Sequence, residues 1–434
     1  MSTEEAQLHK RGPSVRVKGS RRDRKDWKRR RRRKKLKEKN QKSYEEVFTF
    51  NNLYNAGIKS CKNVRWKAST IDFESNIIVE VQRLLNRLHR DGYRFQGFRY
   101  FRTVEHGKMR DINALTIQDR TVQRCFCDQI MTKNYADSFI FDNSASLPKK
   151  GMDLSLKRLK RFLQEHYRKY GLGGGILQFD FKSFFASIPH DKAKTHVRNY
   201  IKDKKLQKLL YQLIDDFNTM GGTHPINKGV GLGSQVSQNI ALEYPNEIDH
   251  HFKDRLGIRG FGRYMDDGYI IHHDMKYLNF LKSELYRLAK KLGIKMSDKK
   301  TQIVPFKSHS FKFLKFRYRI SKTGKVSMQV NRNSIKNMRR KIRAFKRKLE
   351  EGIMAFDDIL SSFQSWRAHC KRGNCFRTLV NMDRYFCTVF SEELRTYRLQ
   401  FKCTLKATLK KDGYHYHTNF LTKDDKMRGF RYAA

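Results

Sequence analysis

The sequence predicts an α+β protein, with an antiparallel sheet flanked by helices and a helical bundle after it. Three patterns point to this. Ile258-Arg-Gly-Phe-Gly-Arg-Tyr-Met-Asp-Asp-Gly-Tyr-Ile-Ile-His272 reads as strand, turn, strand. Leu278, Leu281, Leu285, Leu288 and Leu292 step by three and four, with Asp274 ahead as cap and Gly293 behind as stop. Ile335, Met338, Ile342, Phe345 and Leu349 repeat the step, with Arg339, Arg340, Arg343, Lys346 and Arg347 on the opposite face and Gly352 closing the helix.

The remaining elements follow in order. Residues 1–43 form a basic arm in which Lys28 to Lys35 are eight consecutive cations, expected to stay disordered until they meet phosphate. A nuclear localisation signal would read the same way. Ile78, Val81, Leu85 and Leu88 mark a helix that Gly92 ends. Gly97 to Val104 alternates as a strand and turns through Gly107 into Lys108-Met-Arg110, a short basic hairpin. Gln118-Asp119-Arg120-Thr-Val-Gln123 opens another helix. Gly173-Gly174-Gly175 lacks the Lys-Ser/Thr of a phosphate-binding loop and reads as a flexible lead-in to the strand Ile176–Phe185. Strand-like segments follow at 301–306 and 311–320.

The totals restrict function. At 434 residues the chain suggests two or three domains of ~150 residues each. Its 31 Phe and 20 Tyr supply a sizeable core, while 94 Lys+Arg against 43 Asp+Glu give a net charge of +51. Such a field favours a polyanionic partner over a small acidic substrate. No apolar stretch reaches the ~18 residues a membrane span requires, and no secretory segment follows the N-terminus, so a cytoplasmic nucleic-acid protein is expected. The cysteines at 61, 125, 127, 370, 375, 387 and 403 lack paired zinc spacing, and His369, Cys370 and Cys375 lack a fourth partner. They read as structural thiols.

The chemistry concentrates in three carboxylates. Asp180 ends an apolar strand, and Asp266-Asp267 sit in a tight turn some eighty residues on. Adjacent acids repel, and a divalent cation relieves that repulsion. Asp-Gly between apolar runs is also an ordinary hairpin signal. If their strands are neighbours, all three acids meet at one sheet edge. There two Mg²⁺ ions, or Mn²⁺, would clamp the attacking and leaving oxygens of an in-line phosphoryl displacement. Lys108 and Arg110 suit a triphosphate.

These residues together resemble the prokaryotic reverse transcriptases of the group II intron and retroelement class over roughly residues 95–370. Lys108-x-Arg110 resembles the fingers hairpin that grips the incoming triphosphate, and Asp119-Arg120 with Gln123 the helix after it. Asp180-Phe-x-x-Phe-Phe185 with Ser187-Ile-x-His190 resembles the first metal-binding strand, and Tyr264-Met-Asp-Asp267 the catalytic hairpin. Lys299-Lys300-Thr301 and Phe313-Leu-x-Phe316, the latter like a primer grip, follow in the family's order.

The resemblance implies a right-hand polymerase: arm 1–43, fingers 44–171, palm 172–330, helical thumb 331–395 and a basic extension 396–434. It implies RNA-templated DNA synthesis from a DNA or RNA primer with deoxynucleoside triphosphates. Phe185 would exclude a ribose 2′-hydroxyl, unless it is simply a buried aromatic. Lys300 would protonate the leaving pyrophosphate, unless it is one surface lysine among many. Tyr264 would support the hairpin near the primer terminus. Leu232-Gly233-Ser-Gln-Val-Ser237-Gln238 stands where many members have Gln-Gly-x-x-x-Ser-Pro, a variant seen in reverse transcriptases of diversity-generating retroelements and in some of antiphage defence. The first implies a small basic accessory protein, the second a structured RNA or a toxic partner gene. An apolar Leu232 beside the nucleotide implies relaxed discrimination. A non-catalytic RNA-binding protein on the same scaffold is the competing expectation.

Overall fold

A computed structural model describes residues 41–90, 93–105, 108–219, 227–307 and 309–400, which divide into two units. One joins the described residues up to Ser138 with Ile188–Tyr244; the other joins Phe139–Ser187 with those from Pro245 onward. Helices and antiparallel sheets together make the chain α+β. No described helix is long and apolar enough to cross a membrane. Most of the N-terminal arm, Gly92 and Gly107 lie outside the described residues, as does the extension beyond residue 400.

Among the described residues the first unit is helical apart from one ribbon. Its Ile77–His89 helix buries Ile77, Val81, Leu84 and Leu88, not the expected Ile78 and Leu85. Ile77-Ile78-Val79 is apolar throughout and leaves the phase open. Packing decides it, because Ile77 reaches the space left by Gly57, where a Cβ would stand 3.2 Å from Ile77 Cδ1. The ribbon pairs β1 (Arg99–Glu105) with β2 (Lys108–Ala114) from Arg99↔Ala114 to Glu105↔Lys108. Residues 99–104 are solvent-exposed, so Phe98, which is buried, anchors the start of the ribbon.

The second unit carries a four-stranded antiparallel sheet ordered β4-β5-β3-β6, from β3 (Gly175–Asp180), β4 (Phe261–Tyr264), β5 (Asp267–His272) and β6 (Gln302–Pro305). The Gly173–Gly175 run is not a flexible lead-in. Gly174 has φ +76°, and a Cβ there would meet the His272 carbonyl oxygen at 2.2 Å; one on Gly175 would meet that of Val304 at 2.5 Å. The glycines let neighbouring backbones approach.

The Met275–Leu292 helix covers this sheet. Asp274 accepts from the Lys276 and Tyr277 amides at its start, Gly293 ends it at φ +76°, and all five leucines are buried. A second sheet follows from β7 (Phe311–Phe313), β8 (Phe316–Ile320) and β9 (Val326–Val330). Leu314 and Lys315, both at positive φ, make the two-residue turn inside the segment expected as a single strand 311–320. The helices Arg332–Glu350, Phe356–Lys371 and Phe376–Val389 share one apolar core with both sheets. Phe363 and Phe386 stack there at 4.1 Å, and Arg367 and Asp383 form a buried ion pair at 2.7 Å. Lys346 turns from the outer basic face to bind Glu393 at 2.5 Å.

Candidate active site

Strand pairing brings the carboxylates together. β3 and β5 are antiparallel neighbours whose register ends on Asp180↔Asp267, and β4 pairs Tyr264 with Asp267. The loop between β4 and β5 is therefore Met265-Asp266, and the expected Asp-Gly turn is displaced. Gly268 lies inside β5 because Phe179 fills its face, where a Cβ would stand 2.1 Å from the ring. Met265 takes φ +59°, a conformation hairpins usually give to glycine. The Asp266 carbonyl accepts from the Phe181 amide at 3.3 Å, tying the loop back to β3.

The charges in this corner act on one another. Asp180 is buried and accepts Lys300 Nζ on Oδ1 at 2.6 Å. The Asp267 carboxyl is pushed up to about 7, first by burial, then by the charge of Asp266 and by its hydrogen bond to Asp180. Partial burial pulls the Lys300 ammonium down, but its bond to Asp180 and the charges of Asp267 and Asp266 outweigh this and raise it. Lys300 is thus bound to the acid cluster, while its side chain stays 56% exposed.

The strand expected to run to Phe185 ends at Asp180, and Phe184 and Phe185 open the short helix Phe184–Ser187 instead. Phe184 is buried, whereas Phe185 is half-buried and meets Phe184 edge-on at 6.0 Å. Tyr264 packs partly against the apolar core. Gln178 Nε2 donates to the Lys312 carbonyl, joining β3 to the Phe313–Phe316 segment.

Sequence reasoning missed the supports of the hairpin. Arg263 pairs with Asp249, both fully buried. Asn143 bridges to Arg263 in parallel, with Arg263 N donating to Asp142 O at 3.1 Å. Asp142 in turn is held by Arg158 at 2.5 Å and Lys253 at 2.7 Å. Their charges read as surface in the sequence, and only the apolar residues around Arg263 hinted otherwise.

The other expected site residues belong to the first unit. Lys108 begins β2, and Arg110 is exposed opposite Thr103. The far end of β2 reaches the glycine motif, where Asn113 N donates to Leu232 O at 2.9 Å. Gly233 has φ +112°, and a Cβ there would meet the Asn113 carbonyl at 3.0 Å. Ser234 caps the Gln235–Glu243 helix, and Gln123 clamps that start by donating to Ser234 Oγ at 2.7 Å and accepting from Gln235 N at 3.0 Å. Leu232 is half-buried, and Gln238 is exposed on the helix. Asp119 is buried and accepts from the Tyr93 hydroxyl and the Gln96 amide, which makes it a structural acid.

A family model described as Reverse transcriptase (RNA-dependent DNA polymerase) matches residues 102–318. The chain belongs to the reverse transcriptase family. No curated protein matches it. Among solved structures, this reverse transcriptase is similar to the apo telomerase of Candida tropicalis truncated from its C-terminal domain, at 14% identity and TM-score 0.42 over 54% of this chain and 55% of that one. It is also similar to the telomerase of Candida albicans in complex with a fragment of telomeric RNA, at 11% identity and TM-score 0.44 over 68% and 56%. The chain spans about half the length of these structures.

Reverse transcriptases use divalent metal, and the donor chemistry here fits it. Among the described residues no three His, Cys, Asp or Glu side chains stand as a ready ligand set. Yet burial, the charge of Asp266 and the hydrogen bond to Asp180 favour a proton on Asp267, so a hard cation would displace that proton and relieve the repulsion. The six described cysteines are free, five of them buried, in keeping with structural thiols; Cys403 lies outside the described residues.

Proposed function

We propose that the chain is an RNA-directed DNA polymerase whose chemistry centres on Asp180, Asp266 and Asp267. The observation that carries this reading is the Asp180↔Asp267 register, which sets a buried acid from one strand against the acid pair of the next hairpin. Those three residues would hold Mg²⁺, two ions in this reading or Mn²⁺ in their place, which when bound neutralise phosphate charge and favour the ionised 3′-hydroxyl.

The protein's own groups do the positioning. Asp180 keeps Lys300 within reach of the reacting phosphates, where its raised ammonium is a proton donor for the leaving pyrophosphate. Lys108 and Arg110 bind the triphosphate of a deoxynucleotide, and Phe185 discriminates against the ribose 2′-hydroxyl. Tyr264 supports the hairpin near the primer terminus. Residues 44–171, 172–330 and 331–395 serve as fingers, palm and thumb, with an RNA template and a DNA or RNA primer as partners.

Leu232 and Gln238 favour an enzyme of the diversity-generating type within this family. A half-buried leucine offers a nucleobase no hydrogen bond, and a site with fewer polar demands discriminates less.

Incorporation of labelled deoxynucleotide on a primed RNA template, with and without Mg²⁺, tests the reading. Metal-dependent incorporation is expected. Template binding with no incorporation would instead support a non-catalytic RNA-binding protein.

A further inference from the structure

The catalytic sheet carries a second cluster at its other end. β5 runs from Asp267 to His272, so its far end lies roughly 17 Å from the carboxylates at ~3.4 Å per residue. There His272 and His273, the end of the Met152–Tyr170 helix and the Leu256–Gly260 loop enclose a cleft of about 520 Å³. That volume suits a nucleotide-sized ligand.

A ladder of five rings runs through this region, four of them lining the cleft and the fifth, Phe280, just beyond it. Tyr170 stacks on His273 with centroids 4.1 Å apart and planes at 10°. His273 meets His272 at 4.4 Å, His272 meets Tyr277 at 4.7 Å, and Tyr277 stacks on Phe280 at 5.6 Å. The two end rings are open to solvent, Tyr170 at 47% and Phe280 at 52% exposure. Burial holds His272, the middle ring of the ladder, below the ordinary imidazole range, so near neutral pH that ring is uncharged.

The charge around the ladder favours an anion. Glu165 is occupied by Arg161 at 2.7 Å, and the Asp274 carboxylate accepts two helix amides. Lys169 and Arg259 line the cleft and are exposed. Aromatic faces beside cations are how proteins hold single strands, because every base offers a π face and every linkage a phosphate. A duplex, whose bases are already stacked, cannot use such a ladder.

We propose that this cleft binds single-stranded nucleic acid, taking bases on the Tyr170–Phe280 ladder and phosphates on Lys169 and Arg259. The inference goes beyond the polymerase reading, since a binder without catalysis would use the same surface.

The test is photo-crosslinking of the full chain to a single-stranded RNA containing 4-thiouridine, with adducts mapped by mass spectrometry. Adducts are expected on the peptides carrying Tyr170 and His272–Phe280. Excess unlabelled RNA should compete them away, whereas an abasic oligomer of equal length and charge should not. Tyr170→Ala with Phe280→Ala, both at exposed positions, should lower adduct yield at His273 and Tyr277 about tenfold and leave adducts elsewhere unchanged. The same adducts on an Asp266→Asn chain would keep this result separate from catalysis. Absence of adducts on these peptides, or equal displacement by the abasic oligomer, would overturn the proposal and leave a protein-docking or purely electrostatic surface.

Discussion

Arg263 and Asp249 face each other as a fully buried bidentate pair, Nε to Oδ1 and Nη2 to Oδ2, both at 2.7 Å. The remaining guanidinium nitrogen, Nη1, donates to the Met265 carbonyl at 2.8 Å. A non-glycine residue at positive φ costs on the order of 1 kcal/mol, and this bond holds Met265 in that conformation one residue before Asp266. Removing one partner of such a pair costs about 3–5 kcal/mol, because the other charge stays buried and unpaired. Arg263→Met should therefore destabilise the chain by that amount in urea unfolding. Adding Asp249→Leu should recover most of the stability but not primer extension, since the Met265 carbonyl still lacks its donor. Full recovery of both would show that the pair is only structural filler.

The acid corner predicts a pH dependence. Asp267 ionises near 7 in the folded metal-free chain and near the ordinary carboxylate value when unfolded. Its folded pKa is raised, so the folded state binds the extra proton between those values. Stability of the metal-free chain should fall as pH rises from about 4 to about 7. Mg²⁺ competes with that proton, so Mg²⁺ affinity measured calorimetrically should rise from pH 6 to pH 8 with proton release at the lower end. A flat affinity across that range would contradict the raised Asp267 carboxyl.

Close approach predicts which glycines resist change. A methyl at Gly268 would stand 2.1 Å from the Phe179 ring. Gly268→Ala should cost about 1–3 kcal/mol through forced repacking, and it should lower activity by shifting the Asp180↔Asp267 register. Gly257, by contrast, has positive φ (+67°), and a Cβ there meets nothing within 4 Å. Gly257→Ala should carry only backbone strain of about 1 kcal/mol and leave activity intact. Equal losses at both positions, in thermal unfolding and extension assays, would refute the packing argument.

Leu232 supplies a fidelity prediction. Leu232→Gln restores a polar side chain at a half-buried position beside Gly233. Misincorporation opposite template adenine, counted by sequencing the products, should fall in the variant. No decrease relative to the parent enzyme would remove the link between this residue and error-prone copying.

What the sequence made legible follows its local signals. The Met275–Leu292 helix could be read completely because cap, leucine stripe and stop glycine agree. The two hairpins were visible in their alternation. The phase of Ile77–His89 was not, since three consecutive apolar residues fit two faces and only packing against Gly57 chooses between them. β9 went unread although Val326, Met328 and Val330 alternate, because a five-residue strand beside a basic helix gives little signal. The convergence of Asp180 with Asp267 depended on strand order, which composition does not encode. Arg263 was invisible in the same way, since a lone arginine reads as surface until its partner at Asp249 is placed.

The most direct measurement is primer extension by Asp266→Asn, with nucleic-acid affinity measured alongside. The substitution keeps size and removes one charge that acts on metal rather than on template. Extension should fall to background while affinity stays near that of the parent chain. Retained extension would contradict the assignment of the carboxylate cluster as the centre of catalysis.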